Sequence, residues 1–125
     1  MTTIQTKINY DHKTFASVEN SATGEVSSET IFNYHQTGDL VWAEYAGGAI
    51  VFGNLVAKVV ENDCLEMRYQ HLNVSDELMT GECVSMPEML GDGRIRLHEK
   101  WRWTSGDGSS GESIIEEVEA RIVSR

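Results

Sequence analysis

The sequence predicts an all-β fold, an antiparallel up-and-down meander of eight or nine strands closing into a small barrel. Three observations predict it. The dominant hydrophobic period is two rather than 3.6. The chain is punctuated by 11 glycines against a single proline, Pro87, and most of the glycines stand between apolar runs, where tight turns need positive φ. Finally, a meander with short turns leaves unpaired edges, which closure removes. A two-sheet sandwich is the alternative, but it needs longer crossovers than these turns offer.

A first strand is expected over residues 14–20. Residues 25–36 (EVSSETIFNYHQ) place Val26, Ser28, Thr30, Phe32 and Tyr34 on the better-buried parity. Gln36 to Asp39 turns the chain into a strand over 40–46, and Gly47-Gly48 signals a hairpin. The next strand, 49–60, puts Leu55, Ala57 and Val59 on one face, with a kink expected at Gly53. After Glu61-Asn62-Asp63, residues 64–71 set Leu65, Met67, Tyr69 and His71 against Cys64, Glu66, Arg68 and Gln70. Asn73 to Asp76 turns into a strand over 78–86. Residues 94–103 (RIRLHEKWRW) alternate most cleanly, with Ile95, Leu97, Glu99, Trp101 and Trp103 inward and Arg94, Arg96, His98, Lys100 and Arg102 outward. A polar loop, 104–111, precedes a last strand over 112–122 with Ile114, Val118, Ala120 and Ile122 inward. That segment is also rich in helix formers, but a strand there completes the pattern. The closed meander is expected to be of lipocalin or avidin type.

The chain has 125 residues, 40% of them hydrophobic and 24% charged, as expected for one globular domain spanning 1–125. Residues 1–7 read as a loosely ordered N-terminal extension. The net charge of −10 disfavours nucleic acid and anionic membrane as partners. No apolar run is long enough for a transmembrane helix, and Met1 to Asn9 does not read as a secretory signal. A cytoplasmic location is therefore expected, with Cys64 and Cys83 as reduced thiols.

The inward aromatic residues outline a pocket. Tyr34, Tyr69, His71, Glu99, Trp101 and Trp103 are the expected ligand-binding residues, with Glu99 as polar anchor. If the last hairpin pairs Trp103 with Glu112, Glu99 falls opposite Glu116. Two facing carboxylates could bind a cation or share a proton. Glu99 and His71 are then the catalytic candidates for proton transfer. In the same register His98 and Arg96 pair with Glu117 and Glu119, so the basic stripe reads as an ordinary surface charge ladder. Cys83 and Ser85 share a face, but without a nucleophile elbow they read as small interior residues. The four histidines show neither helical i,i+4 nor strand i,i+2 spacing, so the sequence assigns no metal site and no cofactor. Expected partners are a small molecule in the interior or, alternatively, a second copy of the chain in a homodimer. Ile31, Val51 and Ile115 are the outward apolar residues expected to offer that contact.

At GEVSSETIF (24–32), AEYAGG (43–48), RYQHLN (68–73), GECVS (81–85) and GRIRLHEKWRWTSGD (93–107), the chain resembles a family of small, uncharacterised bacterial proteins. Many of them carry the label N-acetylglutamate synthase. The resemblance covers about residues 8–118 and implies acetyl transfer to glutamate. It carries over no catalytic residue. The chain lacks the glycine-rich turn opening a helix that cradles an acetyl-CoA pyrophosphate in acetyltransferases.

Overall fold

The computed structural model describes residues 8–119. Eight strands follow one another around a closed antiparallel barrel: β1 (Lys13–Asn20), β2 (Ile31–Thr37), β3 (Leu40–Gly47), β4 (Ile50–Val59), β5 (Leu65–Asn73), β6 (Leu78–Met89), β7 (Ile95–Trp103) and β8 (Ser110–Val118). Each pairs with its chain neighbour, and β8 returns to β1, so no edge is left open. Among the described residues no helix is long and apolar enough to cross a membrane.

Alternation sets the inward faces. Leu55, Ala57 and Val59 of β4, Leu65, Met67 and His71 of β5, and Ile95, Leu97, Glu99 and Trp103 of β7 are all buried. At one end Tyr10 closes the barrel. It is fully buried, its hydroxyl donates to the Asp63 carbonyl at 2.6 Å, and its ring meets Tyr34 at 6.3 Å. Phe15 packs on Tyr34 at 4.8 Å and completes this lower aromatic layer.

Several expectations are corrected. Residues 25–30 are loop, not strand: Ser27 and Thr30 bond each other's backbone, and Thr30 Oγ1 donates to Gly47 O at 3.1 Å. Such side-chain bonds replace ladder pairing. Strand β6 runs past the expected end at 86, through Pro87 to Met89. Its pairing with β5 stops at Leu65↔Ser85, so Pro87 sits where only β7 is alongside and its missing N–H interrupts no β5 ladder. The irregularity expected at Gly53 lies just before it: Gly53 pairs with Tyr45 and His71, and the register shifts of β4 against β3 and β5 fall between Ile50 and Gly53. Glycine is needed at 53 because a Cβ would stand 2.5 Å from the Tyr45 ring and 2.6 Å from His71 Cβ.

The last hairpin differs most. Residues 110–118 form a strand, in register Glu99↔Ser113, Arg96↔Glu116 and Lys100↔Glu112. The expected pairing of Glu99 with Glu116 is off by an odd number of residues, which turns the strand over. Ser113 and Ile115 face inward and are buried, while Ile114 is half-buried. Ile115 is thus core, not outer surface. The expected positions Ala120 and Ile122, and residues 1–7, lie outside the described residues. The basic stripe does face outward, but it pairs with other acids: Arg96 with Glu116, Arg102 with Glu82, and His98 with Glu88.

Candidate functional site

The end of the barrel opposite Tyr10 holds a cavity of about 50 Å³. Glu99 and Ser113 line its floor, in a row of directly paired residues with Ser85 across β6, β7 and β8. Ser85 Oγ donates to Glu99 Oε2 at 2.7 Å and Ser113 Oγ to Oε1 at 3.3 Å. The carboxyl is buried, with Tyr34, Tyr45, Tyr69 and Cys83 nearby. Burial raises its pKa to about 7, and the two hydroxyl bonds pull it back only in part. Near neutrality it is therefore divided between a neutral donor and an anion.

The wall is aromatic because β5 and β7 put rings at alternate inward positions. Trp101 and Trp103 are 5.5 Å apart, Tyr69 meets Trp103 edge-on at 5.7 Å, and His71 meets Trp103 at 5.7 Å. Tyr45 reaches His71 Nδ1 at 2.9 Å. Burial first, then Tyr69 and Glu99 beside Tyr45 and Cys83 and Glu99 beside Tyr69, hold the Tyr45 and Tyr69 hydroxyls in their neutral forms.

The β1–β2 loop lies over the mouth. Ser21 exchanges bonds with Glu112, Thr23 Oγ1 donates to Ser110 O at 3.2 Å, and Trp103 Nε1 donates to Thr23 O at 3.1 Å. Gly24 sits so close to Trp101 that a Cβ would come within 2.9 Å of its ring. Glu25 then turns inward. Its Oε1 lies 2.8 Å from His71 Nε2, and Asn73 Nδ2 donates to its two oxygens at 3.3 and 3.1 Å. Held between Tyr45 and Glu25, the His71 side chain is 1% exposed.

The structure thus brings Tyr69, His71, Glu99, Trp101 and Trp103 to one cavity. Tyr34 lies in the lower layer with Phe15, outside the cavity wall, and its hydroxyl has no hydrogen-bond partner among the described residues. Burial, with Glu99 and Cys83 nearby, keeps that hydroxyl protonated. Glu99 and His71 share the cavity but belong to separate bonding groups, the serines on one side and Glu25, Tyr45 and Asn73 on the other. The two facing carboxylates do not occur, because Ser113 stands where Glu116 was expected. Cys83 is buried, with its thiol pKa raised by desolvation and by Glu99, which makes it a poor nucleophile.

Sequence reasoning missed Glu25, Asn73 and Ser113. Ser113 needed the correct register. Glu25 needed a loop, and the polar run after Gly24 was the one local signal for it.

A family model described as avidin-like protein matches residues 8–118. No curated protein and no solved structure matches the chain.

Proposed function

The chain belongs to the avidin-like protein family, and from that premise we propose that it binds a small molecule carrying a cationic or N–H donor group against Glu99. The observation that carries this is a buried carboxyl, held by two serines, on the floor of an aromatic cavity. A cation there gains the carboxylate charge and the faces of Trp101, Trp103 and Tyr69. An N–H donor gains a desolvated acceptor. The enclosed volume suits only the buried head of a ligand, since whole drug-sized pockets measure roughly 300–1,000 Å³. A larger ligand extends through the mouth and lifts the Glu25 loop. Unpaired Cys64 and Cys83 suit a reducing, cytoplasmic setting.

The acetyl-transfer reading, with Glu99 and His71 moving protons, finds less support. Among the described residues the cavity wall offers Glu25 and Glu99 but no lysine or arginine for acyl-CoA phosphates. A homodimer has a specific observation in its favour. Phe52, Leu72 and Leu78 lie side by side across the outer faces of β4, β5 and β6, with Phe52 53% and Leu78 78% exposed.

A thermal-shift panel of small amines, guanidinium, amides, fatty acids and acetyl-CoA with glutamate tests these readings. A ligand at about 100 times its dissociation constant adds roughly 2.7 kcal/mol, a shift of several degrees. Shifts with amines or amides that disappear in Glu99→Gln or Glu99→Ala support the proposal. A shift confined to acetyl-CoA with glutamate favours the enzyme, and no shift by any N–H donor counts against binding through Glu99. Light scattering of Leu78→Asp beside the parent tests the dimer.

A further inference from the structure

The closed end of the barrel carries a second group of chemistry-bearing side chains. Asp11, His12 and His35 each offer one metal-ligating atom, and these atoms all lie within 4.8 Å of one another. Asp11 and His12 are chain neighbours just ahead of β1, whereas His35 stands in β2. The pairing of Lys13 with Tyr34, and the His12 N–H bond to Tyr34 O at 3.0 Å, bring them together. This is why histidine spacing along the chain gave no sign of them.

Two of the three side chains are already held by other groups. Asp11 Oδ1 accepts the Gln36 N–H at 2.9 Å, while Oδ2 lies 3.2 Å from His12 Nε2. His35 is bonded through Nε2 to Glu44 at 2.9 Å, and its ring stacks on Trp42 at 5.3 Å. A carboxylate behind an imidazole is the usual way a ligating histidine is oriented. His12 is the adjustable member, with its side chain 85% exposed.

We propose that Asp11, His12 and His35 form a binding site for a divalent cation of borderline softness, with Zn²⁺ as the probe. Two imidazoles and one carboxylate with an open fourth position are a donor set that suits zinc. Ligand atoms about 2.0–2.1 Å from a tetrahedral ion stand roughly 3.3 Å apart. The group must therefore contract somewhat around the ion, and rotation of exposed His12 allows it. The net charge of −10 favours cation uptake in general. The cavity opens at the other end of the barrel, so this site stands or falls independently of ligand binding there.

Calorimetric titration of chelator-treated protein with zinc chloride, at about pH 7.5, tests the proposal. One ion per chain is expected. Binding should be lost in His12→Ala and in His35→Ala, and weakened about 10–100-fold in Glu44→Gln. It should persist in His98→Ala, whose histidine is bonded to Glu88 instead. Circular dichroism checks that each variant is folded, and exposed His12 is the substitution least able to disturb the barrel. No zinc uptake by the parent protein overturns the proposal, as does uptake left unchanged by both His12→Ala and His35→Ala.

Discussion

Glu99 makes the stability of this barrel fall as pH rises toward neutrality. Its folded pKa is raised to about 7, against an ordinary value of 4.5. Between those limits the native state holds a proton that the unfolded chain has released. Stability from this group is therefore fully present below about pH 4.5, is lost as pH rises through about 7, and changes little above that. The gap corresponds to about 3 kcal/mol, at roughly 1.4 kcal/mol per pH unit. Glu99→Gln removes the titration but keeps the shape. Its amide oxygen can accept from one serine and its amide nitrogen can donate to the other, since a hydroxyl serves in either role. The variant should match the parent near pH 4 and exceed it by up to about 3 kcal/mol near pH 8. Urea unfolding of both proteins at several pH values measures this as a change in midpoint. The surface carboxylates whose pKa values are lowered by arginine, histidine or backbone partners, such as Glu82 and Asp92, act in the opposite sense. They are common to both proteins and cancel in the difference. Parallel pH profiles for parent and variant, or a difference that shrinks with rising pH, would refute the reasoning.

A cationic ligand selects the ionised carboxyl, so its affinity should rise with pH up to about 7 and then level off, as titration calorimetry can follow. Glu25→Ala removes the bonds to His71 and Asn73, so amides across residues 21–30 should exchange hydrogen faster while β4 and β5 keep their protection. Unchanged loop exchange would mean that the remaining bonds of Ser21 and Thr23 to β7 and β8 are enough to hold the loop. Gly53→Ala should destabilise by about 1–3 kcal/mol, because its Cβ overlaps the Tyr45 ring and His71 Cβ. Gly91→Ala, with nothing within 4 Å of the added carbon, should leave the melting temperature nearly unchanged. Tyr34→Phe removes a buried hydroxyl without a partner among the described residues and should raise stability by about 1 kcal/mol, read as a higher denaturation midpoint.

The alternation of residues 64–71 and 94–103 was enough to place Tyr69, His71, Glu99, Trp101 and Trp103 on inward faces, because side-chain direction in a strand is a local property. It could not place Tyr34. An inward residue belongs to the cavity or to the layer beneath it according to its height along the barrel, and height follows from the stagger of all the strands. The order of strands and the glycine turns at 38 and 47–48 were legible for the same local reason. What faces Glu99 was not. The polar loop before β8 did not specify the hairpin register, and β8 must also pair with β1, nearly the whole chain away, so closure of the barrel puts Ser113 opposite Glu99 and buries Ile115. Glu25 over the mouth and His12 beside His35 are likewise contacts between distant segments. The sequence by itself thus determined which way the strand residues point. Only the closed tertiary structure decided which of them meet, because register and loop placement depend on pairings that no local pattern contains.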